Sequence, residues 1–431
     1  MPIKNDGERR GKRMSKVTRE DVVKIAREKL GELVSLTSEL IKIPSENPIG
    51  TQQDVIDFVK NYLKDAGIAF EEVGCNPDYP CVVAKMGKED GFSIILNGHV
   101  DVVPAGDRNQ WDFDPFSGEI TDKCILGRGT SDMKAGVAGI LFAMKILAES
   151  GADLQGNIRL HIVSDEESGG EYGSKWLCDN GYAEDADACL VAEPTTHSTI
   201  EIGQKGKIDL ILKSYGKSAH GSLAGHKGEN AILKMGKVLE HIDKLCQIEG
   251  KYGENQKQAL INSKIIAEDK NGAGTGEVID HVSANVGLIS GGTRPNMVPD
   301  YCEVTVDLRL PLGVTVEEVE KQIQEMLAES GVSGVEYELG CTMLANYTEI
   351  DAPIVEAIKK NAEALWCDQV LPAYQWASSD AREYREKGIP TIQFGPSNTV
   401  GIHSYNETVD IEDVEKSGLI YIQSLCDLLG I

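Results

Sequence analysis

The residues of this sequence that could do chemistry stand directly after short apolar runs. His99 and Asp101 follow the run SIILNG, the adjacent acids Glu166 and Glu167 follow IRLHIVSD, and Glu193 follows ACLVA. If those runs are parallel strands, their carboxyl ends lie at one edge of a sheet, which is where open α/β sheets bind ligands. We therefore expect these side chains to converge on one site.

Two more residues join them, although each has an ordinary structural explanation. Asp132 in GRGTSDMKAG stands just before an apolar helix that begins near Ala135, and His403 lies in the loop after the strand-like run IPTIQFGP. Alone, Asp132 could be only a helix N-cap, and a single histidine after a strand is commonly a satisfied polar side chain. The expected convergence of all these side chains on one edge favours a functional interpretation instead. Carboxylates gathered there raise one another's pKa unless cations neutralise them.

Together these positions supply a set of five mixed nitrogen and oxygen donors: His99, Asp132, Glu167, Glu193 and His403. Such donors suit Zn²⁺, with Mn²⁺ or Co²⁺ as alternatives, better than Ca²⁺ alone. If Asp132 bridges two metal ions, each ion receives one histidine, one terminal glutamate and one bridging oxygen. That arrangement leaves open positions for water, as in two-metal hydrolases.

Two acids remain beside this ligand set. Glu166 neighbours a predicted ligand and is placed to take a proton from an activated water and return it to a leaving amine. Asp101 follows His99 by two residues, and its carboxylate is spaced to orient that imidazole, since a metal-bound histidine usually donates its other N–H to a neighbouring carboxylate. We predict these two roles for them.

The elements that must position these residues alternate between strand-like and helical patterns. Helical periodicity over residues 19–66 precedes continuous apolar strands separated by helices, which is typical of a mostly parallel sheet with helices on both faces. Residues 207–343 differ, because their order β-α-β-β-α-β indicates a ferredoxin-like α+β unit, with a polar stretch rich in Gly and Lys at 250–278. We predict an α/β catalytic domain of residues 19–206 and 344–431, an inserted lid domain of residues 207–343, and a disordered tail of residues 1–18.

Composition argues against several classes of partner. The chain has 43 Lys and Arg against 69 Asp and Glu, a formal charge of −26, which repels phosphate backbones and anionic lipid surfaces. No apolar run approaches the roughly 20 residues of a membrane span, and no signal peptide is recognisable. The ten cysteines form no CxxC pair and are typical of reduced thiols in a cytoplasmic protein. We therefore expect a small-molecule substrate, with no nucleic-acid or membrane partner.

Five motifs, in order along the chain, resemble those of one enzyme family. NGHVDVVP, GRGTSDMKAG, SDEESGG, AEPT and GIHSYNE look like the metal-site motifs of the acetylornithine deacetylase, succinyl-diaminopimelate desuccinylase, carboxypeptidase G and aminoacylase metallohydrolases. The resemblance covers nearly the whole chain from about residue 30. It implies a zinc-exopeptidase-like catalytic domain, a cis Asp132–Met133 peptide bond, Glu166 as general base and acid, Asp101 as the orienting residue, and two zinc ions held by His99, Asp132, Glu167, Glu193 and His403.

The same resemblance implies a further catalytic residue, His220, and residues that hold the substrate. GKSAHGSLAG places His220 where relatives support the oxyanion of the scissile carbonyl, often across a dimer. RPNMVPD and VDLRLP place Asn296 and Arg309 at substrate-holding positions, and Arg309 is chemically apt because a guanidinium forms a bidentate pair with a carboxylate. SSDAREY resembles a loop that puts Ser379 and Arg382 near the substrate. A homodimer through the lid domain is therefore expected.

The predicted function is hydrolysis of an amide bond in an N-acyl amino acid or a related small substrate with a free carboxylate. A carboxypeptidase or dipeptidase that acts on short peptides is the alternative, because the motifs say nothing about the pocket that selects the substrate. A metal-binding protein without activity would lack a ligand or Glu166, and none is missing. A metal-dependent lyase or isomerase would keep the ligands but would not need Glu166 beside a nucleophilic water.

Overall fold

The computed structural model describes residues 16–48, 50–396, 399 and 401–431. Most of the predicted N-terminal tail, residues 1–15, lies outside the described residues. Within them the helices are α1 Arg19–Glu28, α2 Leu30–Ile41, α3 Gln53–Asp65, α4 Lys134–Ser150, α5 Ser174–Asp179, α6 Ala231–Leu239, α7 Glu254–Asn271, α8 Glu277–Asp280, α9 Val316–Glu329, α10 Pro353–Leu365, α11 Ala381–Glu386 and α12 Ile411–Leu428. The strands are β1 Phe70–Val73, β2 Cys81–Gly87, β3 Phe92–His99, β4 Cys124–Leu126, β5 Gly156–Val163, β6 Ala188–Val191, β7 Thr199–Gln204, β8 Gly206–Tyr215, β9 Ser283–Gly291, β10 Tyr301–Leu310, β11 Val335–Met343, β12 Asn346–Tyr347, β13 Leu371–Gln375, β14 Thr391–Gln393 and β15 Thr408–Asp410.

Four parallel strands form the centre of the larger sheet. Its strand order is β1-β2-β5-β3-β6-β14-β7-β12, with β13 paired to β7. β3 pairs in parallel with β5 and β6, and β14 pairs in parallel with β6, whereas the outer strands β1, β2 and β12 add antiparallel pairs. All residues of β6, and all of β3 except Phe92, are buried, so both faces of the sheet are covered. The predicted α/β class and mostly parallel sheet are confirmed.

Helix α4 packs closely on this sheet because small residues allow it to approach. Its residues from Lys134 to Leu147 are buried, with the exception of Lys145. Gly136 lies so near the end of β6 that a Cβ atom there would stand 1.9 Å from the carbonyl oxygen of Ala192. The start of α4 therefore lies directly beside the carboxyl ends of the central strands.

A second sheet of four strands belongs to the segment between β7 and β12. Its order is β11-β8-β10-β9, and all of its pairs are antiparallel. With α6 after β8 and α9 after β10, the connectivity follows the β-α-β-β-α-β order of a ferredoxin-like unit. The alternating buried residues of β8 and β10 form an apolar core of their own with α6 and α9. The predicted lid sheet is therefore present, while its boundaries at residues 207 and 343 stay a prediction.

The segment between α6 and β9 contains a long helix, although its polar composition does not indicate one. The polar stretch 250–278 contains the 18-residue helix α7, which packs on β13 of the larger sheet and not on the lid sheet. Asn262 Nδ2 donates to the Pro372 carbonyl at 2.9 Å, and the Tyr374 N–H donates to Ser263 Oγ at 2.7 Å. No apolar period marks this helix in the sequence, because its buried side chains are small or polar: Ala259, Asn262, Ser263 and Ala267.

Three local features bear on the sequence predictions. All ten cysteines are free. The Asp132–Met133 peptide bond is cis, as the family resemblance implies, and so is Asn47–Pro48. Among the described residues, no helix combines the length and the apolar character that crossing a bilayer requires.

Candidate active site

Strand ends deliver the predicted ligands to one edge of the larger sheet. β3 ends at His99, β5 ends shortly before the turn Glu166–Ser168, and β6 ends two residues before Glu193. Because these strands are parallel neighbours, their carboxyl ends coincide. Asp132 reaches the same edge from the segment before α4, and His403 reaches it from the loop after β14.

Asp132 stands between two histidines. Its Oδ1 lies 3.0 Å from His99 Nε2, and its Oδ2 lies 3.2 Å from His403 Nε2. Each histidine also meets a glutamate, since His99 Nε2 lies 3.5 Å from Glu193 Oε1 and His403 Nε2 lies 3.2 Å from Glu167 Oε1. The five side chains form two triads that share one carboxylate.

The donor atoms of the two triads suit divalent cations. His99 Nδ1 lies 2.9 Å from the carbonyl oxygen of Asp101, and in the tautomer that donates there, the Nε2 lone pair faces the oxygens of Asp132 and Glu193. Acceptor atoms that face one another at this distance are stable only with a proton or a cation between them. Donor atoms of His99, Asp132 and Glu167 also lie within 4.8 Å of one another. The residues present therefore fit metal ions, and imidazole with carboxylate is a donor set that Zn²⁺ takes.

Charges within the two triads shift the pKa values of their members. Burial acts to lower the pKa of His99, but the surrounding carboxylates raise that pKa well above its ordinary value. Hydrogen bonds with Asp132 and Glu167 raise the pKa of His403 to about 10. Burial, followed by repulsion from Asp132, raises the pKa of Glu193 to about 8. In the absence of metal, the raised pKa values favour protonation of His99, His403 and Glu193, which offsets the negative charge of the neighbouring carboxylates. Metal binding would release these protons.

Asp101 contacts two of the predicted metal ligands, one through its backbone carbonyl and one through its carboxylate. Its backbone carbonyl accepts the Nδ1–H of His99, and its carboxylate Oδ1 lies 3.4 Å from the same nitrogen. Its Oδ2 accepts hydrogen bonds from Asn47 Nδ2 at 2.8 Å and from the Glu167 backbone N–H at 3.1 Å. Asp101 thus orients His99, but the group that accepts the N–H is its backbone carbonyl and not the predicted carboxylate, which lies farther away. The carboxylate instead fixes the backbone of Glu167.

Glu407 fixes the backbone on the other side of the site. The N–H groups of Ser131 and Asp132 donate to Glu407 Oε1 at 2.8 and 3.3 Å, and Arg128 Nη1 pairs with Oε2 at 2.5 Å. Both members of this ion pair are almost completely buried. The sequence predictions missed Glu407 and Arg128, although they stand in the motifs GIHSYNE and GRGTSDMKAG. Only the fold reveals their role, because their pairing joins residues far apart in the chain.

Glu166 stands where two cavities meet. One cavity, of 640 Å³, contains Glu193 and His403, and the other, of 890 Å³, extends from Glu166 to Arg309. Both cavities are lined by Glu166 and by residues 376–379. Burial raises the pKa of Glu166 well above its ordinary value, which suits a carboxyl group that accepts and returns a proton near neutral pH.

Three of the predicted substrate-holding residues line the larger cavity. They are Arg309, Ser379 and Arg382. Arg309 Nε pairs with Asp307 Oδ1 at 3.0 Å. Arg382 pairs with the neighbouring Glu383. The structure therefore brings these three residues together with Glu166 around one cavity.

The fourth predicted substrate-holding residue, Asn296, and the predicted catalytic residue His220 lie away from this cavity. His220 and Asn296 are exposed, and neither lines the cavities described above. They are neighbours on the lid, where the Gly221 N–H donates to the Asn296 carbonyl at 2.7 Å. Within one chain, these two residues are not brought to the metal ligands.

The motifs and the site geometry agree with a comparison against known families. A model of peptidase family M20/M25/M40 matches residues 95–426, from within β3 to within α12. The chain belongs to peptidase family M20/M25/M40. It is a hydrolase, and amide bonds are what enzymes of this kind hydrolyse.

Curated relatives of this M20 hydrolase match almost its whole length. A probable succinyl-diaminopimelate desuccinylase of Staphylococcus epidermidis is 26% identical over 386 residues, which cover 87% of this chain and 92% of the relative. An N-formyl-4-amino-5-aminomethyl-2-methylpyrimidine deformylase of Halalkalibacterium halodurans is 27% identical over 430 residues, which cover 92% and 95% of the two chains. The two relatives differ in the acyl group that their names specify.

Solved structures agree with the fold of this M20 hydrolase. An M20 family metallo-carboxypeptidase from Sulfolobus solfataricus superposes with a TM-score of 0.73 at 19% identity, covering 92% of this chain and 98% of that one. A dinuclear metal-binding peptidase of the M20 family from Bacillus subtilis gives a TM-score of 0.68 at 16% identity, covering 94% and 99%. At these identities the likeness establishes the fold alone.

Proposed function

We propose that this M20 hydrolase deacylates N-acyl amino acids or related small substrates that carry a free carboxylate, with two zinc ions as its cofactor. The observation that carries the proposal is the position of Asp132, which offers one carboxylate oxygen to each of two histidine–glutamate pairs. Cobalt or manganese would substitute for zinc, because they accept the same nitrogen and oxygen donors.

In this proposal each triad would hold one metal ion, with His99 and Glu193 in the first set of ligands, His403 and Glu167 in the second, and Asp132 in both. Metal ions bound there would supply Lewis-acid chemistry, which lowers the pKa of water and polarises a carbonyl. Asp101 acts as a positioning residue, since it orients His99.

Glu166 is the general base and acid of the proposed reaction. Its carboxylate takes a proton from the attacking water and then gives that proton to the departing amine. Its raised pKa supports this role, because a carboxyl group of ordinary pKa would be a weak proton acceptor at neutral pH. Glu166 lines both cavities, so a substrate that occupies both of them would place its amide bond beside the Glu166 carboxylate.

The larger cavity is proposed to hold the amino-acid half of the substrate. Arg309 binds the free carboxylate there, and Ser379 and Arg382 contact the same half. Lys205 and Lys207 line this cavity as well. The lining also contains as many acidic as basic side chains, so the proposal rests on the guanidinium of Arg309 and not on a net positive charge of the cavity.

We further propose that the protein is a homodimer through its lid and that His220 and Asn296 serve the site of a second copy. β9 is an edge strand of the lid sheet. Two large apolar side chains on it are strongly exposed, Leu288 at 70% and Ile289 at 59%. An uncovered apolar edge of this kind is suited to pairing with another chain.

A panel of substrates tests the proposed reaction. The zinc-loaded protein is given N-acetyl and N-succinyl amino acids, dipeptides and short peptides, and kcat/KM is measured for each. We expect the N-acyl amino acids to give the highest values. Higher values for dipeptides or for peptides cut at their C-terminal residue would establish the carboxypeptidase or dipeptidase alternative instead. Absence of hydrolysis with both metals bound would contradict an amide hydrolase of either type.

A further inference from the structure

The 640 Å³ cavity contains a positively charged side chain that the proposed reaction does not use. Lys270, in the last turn of α7, lines this cavity together with Glu193 and His403. Its side chain is half-buried, and within the part of the chain that the structure describes its ammonium group forms no hydrogen bond or ion pair. A partly desolvated ammonium group without a protein partner keeps its donors available for an anionic ligand.

The positive side chains of the neighbouring 890 Å³ cavity already have partners. Lys205 Nζ donates to two backbone carbonyls at 2.6 and 2.7 Å. Lys207 pairs with Asp209 at 3.1 Å, and Lys175 pairs with Asp179 at 2.9 Å. The two arginines of this cavity pair with acids as well. Among the described residues that line the two cavities, Lys270 is the one cation without a bonded partner.

Glu201 lines the same cavity but does not bond to Lys270. Its side chain is 4% exposed, and its two oxygens accept amide N–H groups from Gln375 and Gln393, each at 2.5 Å. Glu201 acts on Lys270 through space, because burial lowers the pKa of Lys270 and the charge of Glu201 opposes that shift. Glu201 therefore lies close enough to influence Lys270 without taking up the hydrogen-bond donors of its ammonium group.

Helix α7 holds Lys270 in a fixed place relative to the metal ligands. Asn262 and Ser263 bond to the backbone of β13, and Ala267 is buried one turn before Lys270. β13 leads directly into residues 376–379, which line both cavities. The position of this charge is thus set by the larger sheet, although α7 lies within the lid segment of the chain.

We propose that Lys270 determines specificity by binding an anionic group at the far end of the substrate's acyl chain. The inference rests on the proposed function. An amide placed at Glu166, with its amino-acid carboxylate toward Arg309, extends its acyl chain into the cavity of Lys270. The ammonium group then favours an acyl chain that ends in a carboxylate over an uncharged chain of the same length.

The test compares N-succinyl and N-butyryl derivatives of one amino acid, whose acyl chains have equal carbon number and differ in the terminal carboxylate. The measured quantity is the ratio of kcat/KM for the two substrates. We expect the wild type to favour the succinyl substrate and K270M to lower the ratio about 10-fold or more, because a hydrogen bond to a charged group is lost. K270R should retain most of the preference. K257M is the matched control, since Lys257 lies on the same helix, pairs with Glu254 and lines neither cavity.

The ratio does not depend on how much of each preparation is folded, because both substrates are measured on the same sample. An unchanged ratio in K270M would overturn the proposal. An equal loss on both substrates would also overturn it, since that result assigns Lys270 a structural role beside Glu201. Hydrolysis of both substrates with an unaltered ratio leaves the proposed function standing. Hydrolysis of neither by the metal-loaded wild type refutes the proposed function and this inference with it.

Discussion

Glu166 differs from the acid beside it in what it contacts. Glu167 meets His403, whereas the Glu166 side chain forms no hydrogen bond or ion pair with any residue that the structure describes. It faces both cavities from desolvated surroundings. A carboxylate without a competing partner, beside a set of metal ligands, is well placed to exchange protons with a substrate.

Replacing Glu166 by glutamine should remove this proton transfer and leave the metal ligands intact. We expect kcat of Glu166→Gln to fall by about 10²- to 10⁴-fold while the metal content per chain stays unchanged. Turnover and metal content are measured on the same preparation. Glu171→Gln is the control, because Glu171 is exposed and lines the larger cavity. Full turnover of Glu166→Gln with metal bound would contradict the assigned role.

His161 gives the fold a dependence on pH that is separate from catalysis. It is 2% exposed, and its Nδ1 lies 3.0 Å from the Tyr384 hydroxyl. Burial, with the charge of Arg159, lowers its pKa from 6.5 to about 3. Between those pH values the unfolded chain binds a proton at His161 that the folded chain does not bind, so stability falls as the pH is lowered from 6.5.

Replacing His161 by glutamine should remove this contribution. We expect the unfolding free energy of the wild type, relative to His161→Gln, to decline as the pH falls below 6.5, by up to about 1.4 kcal/mol per pH unit. Urea titrations at several pH values, with chelator present so that metal binding does not contribute, measure it. His226→Gln replaces an exposed histidine and controls for the substitution. A difference that does not change with pH would show that folding does not lower the pKa of His161.

The sequence predicts a residue's place in the site when that residue stands at the end of a recognisable strand. His99 is the last residue of β3 and Glu193 stands two residues after β6, so the strand pattern alone places them at one edge. Asn47 and Glu407 were missed, because their contacts with the site join loops distant in sequence. The backbone carbonyl of Asp101, which accepts the His99 N–H, carries no signal in the residue type at all.

At the scale of elements, α7 connects the lid segment to the catalytic sheet. Ser263 Oγ accepts the Tyr374 N–H of β13 at 2.7 Å and donates to the Ala259 carbonyl at 2.6 Å. Sequence patterns missed this helix because they detect apolar periods, and α7 buries small and polar groups. The strands and helices with apolar periods, such as β10 and α9, were recognisable.

Replacing Ser263 by alanine should loosen this connection. It leaves the Tyr374 N–H without an acceptor in a buried place, and we expect a loss of about 1–3 kcal/mol in unfolding free energy. Ser35→Ala is the matched control, since Ser35 is exposed and bonds only to the carbonyl four residues earlier in its helix. Urea midpoints compare the two variants. An equal and small effect of both substitutions would mean that α7 is not anchored through Ser263.

At the scale of the whole molecule, the position of His220 bears on whether one chain forms the active site alone or two chains form it together. His220 is exposed on the lid and lines neither cavity of its own chain. If two chains pair through their lids, each could receive His220 from the other. Light scattering should then give twice the chain mass of 46.8 kDa.

Mixing two inactive variants tests whether the site is shared. His220→Ala lacks the donated imidazole and Glu166→Gln lacks the general base, so each homodimer should be nearly inactive. A mixed dimer contains one site with Glu166 intact and His220 supplied by the other chain, and we expect the mixture to regain part of the wild-type activity. Failure to regain activity when mixed dimers form, or full activity of His220→Ala alone, would contradict a shared site.

The proposed function depends most directly on whether Asp132 would lie between two bound metal ions. Anomalous diffraction at the zinc edge from crystals of the zinc-loaded protein measures this directly. We predict two peaks, one beside His99 and Glu193 and the other beside His403 and Glu167, each about 2.0–2.2 Å from one oxygen of Asp132. A single peak, or two peaks of which one does not touch Asp132, would contradict a metal pair shared by this carboxylate.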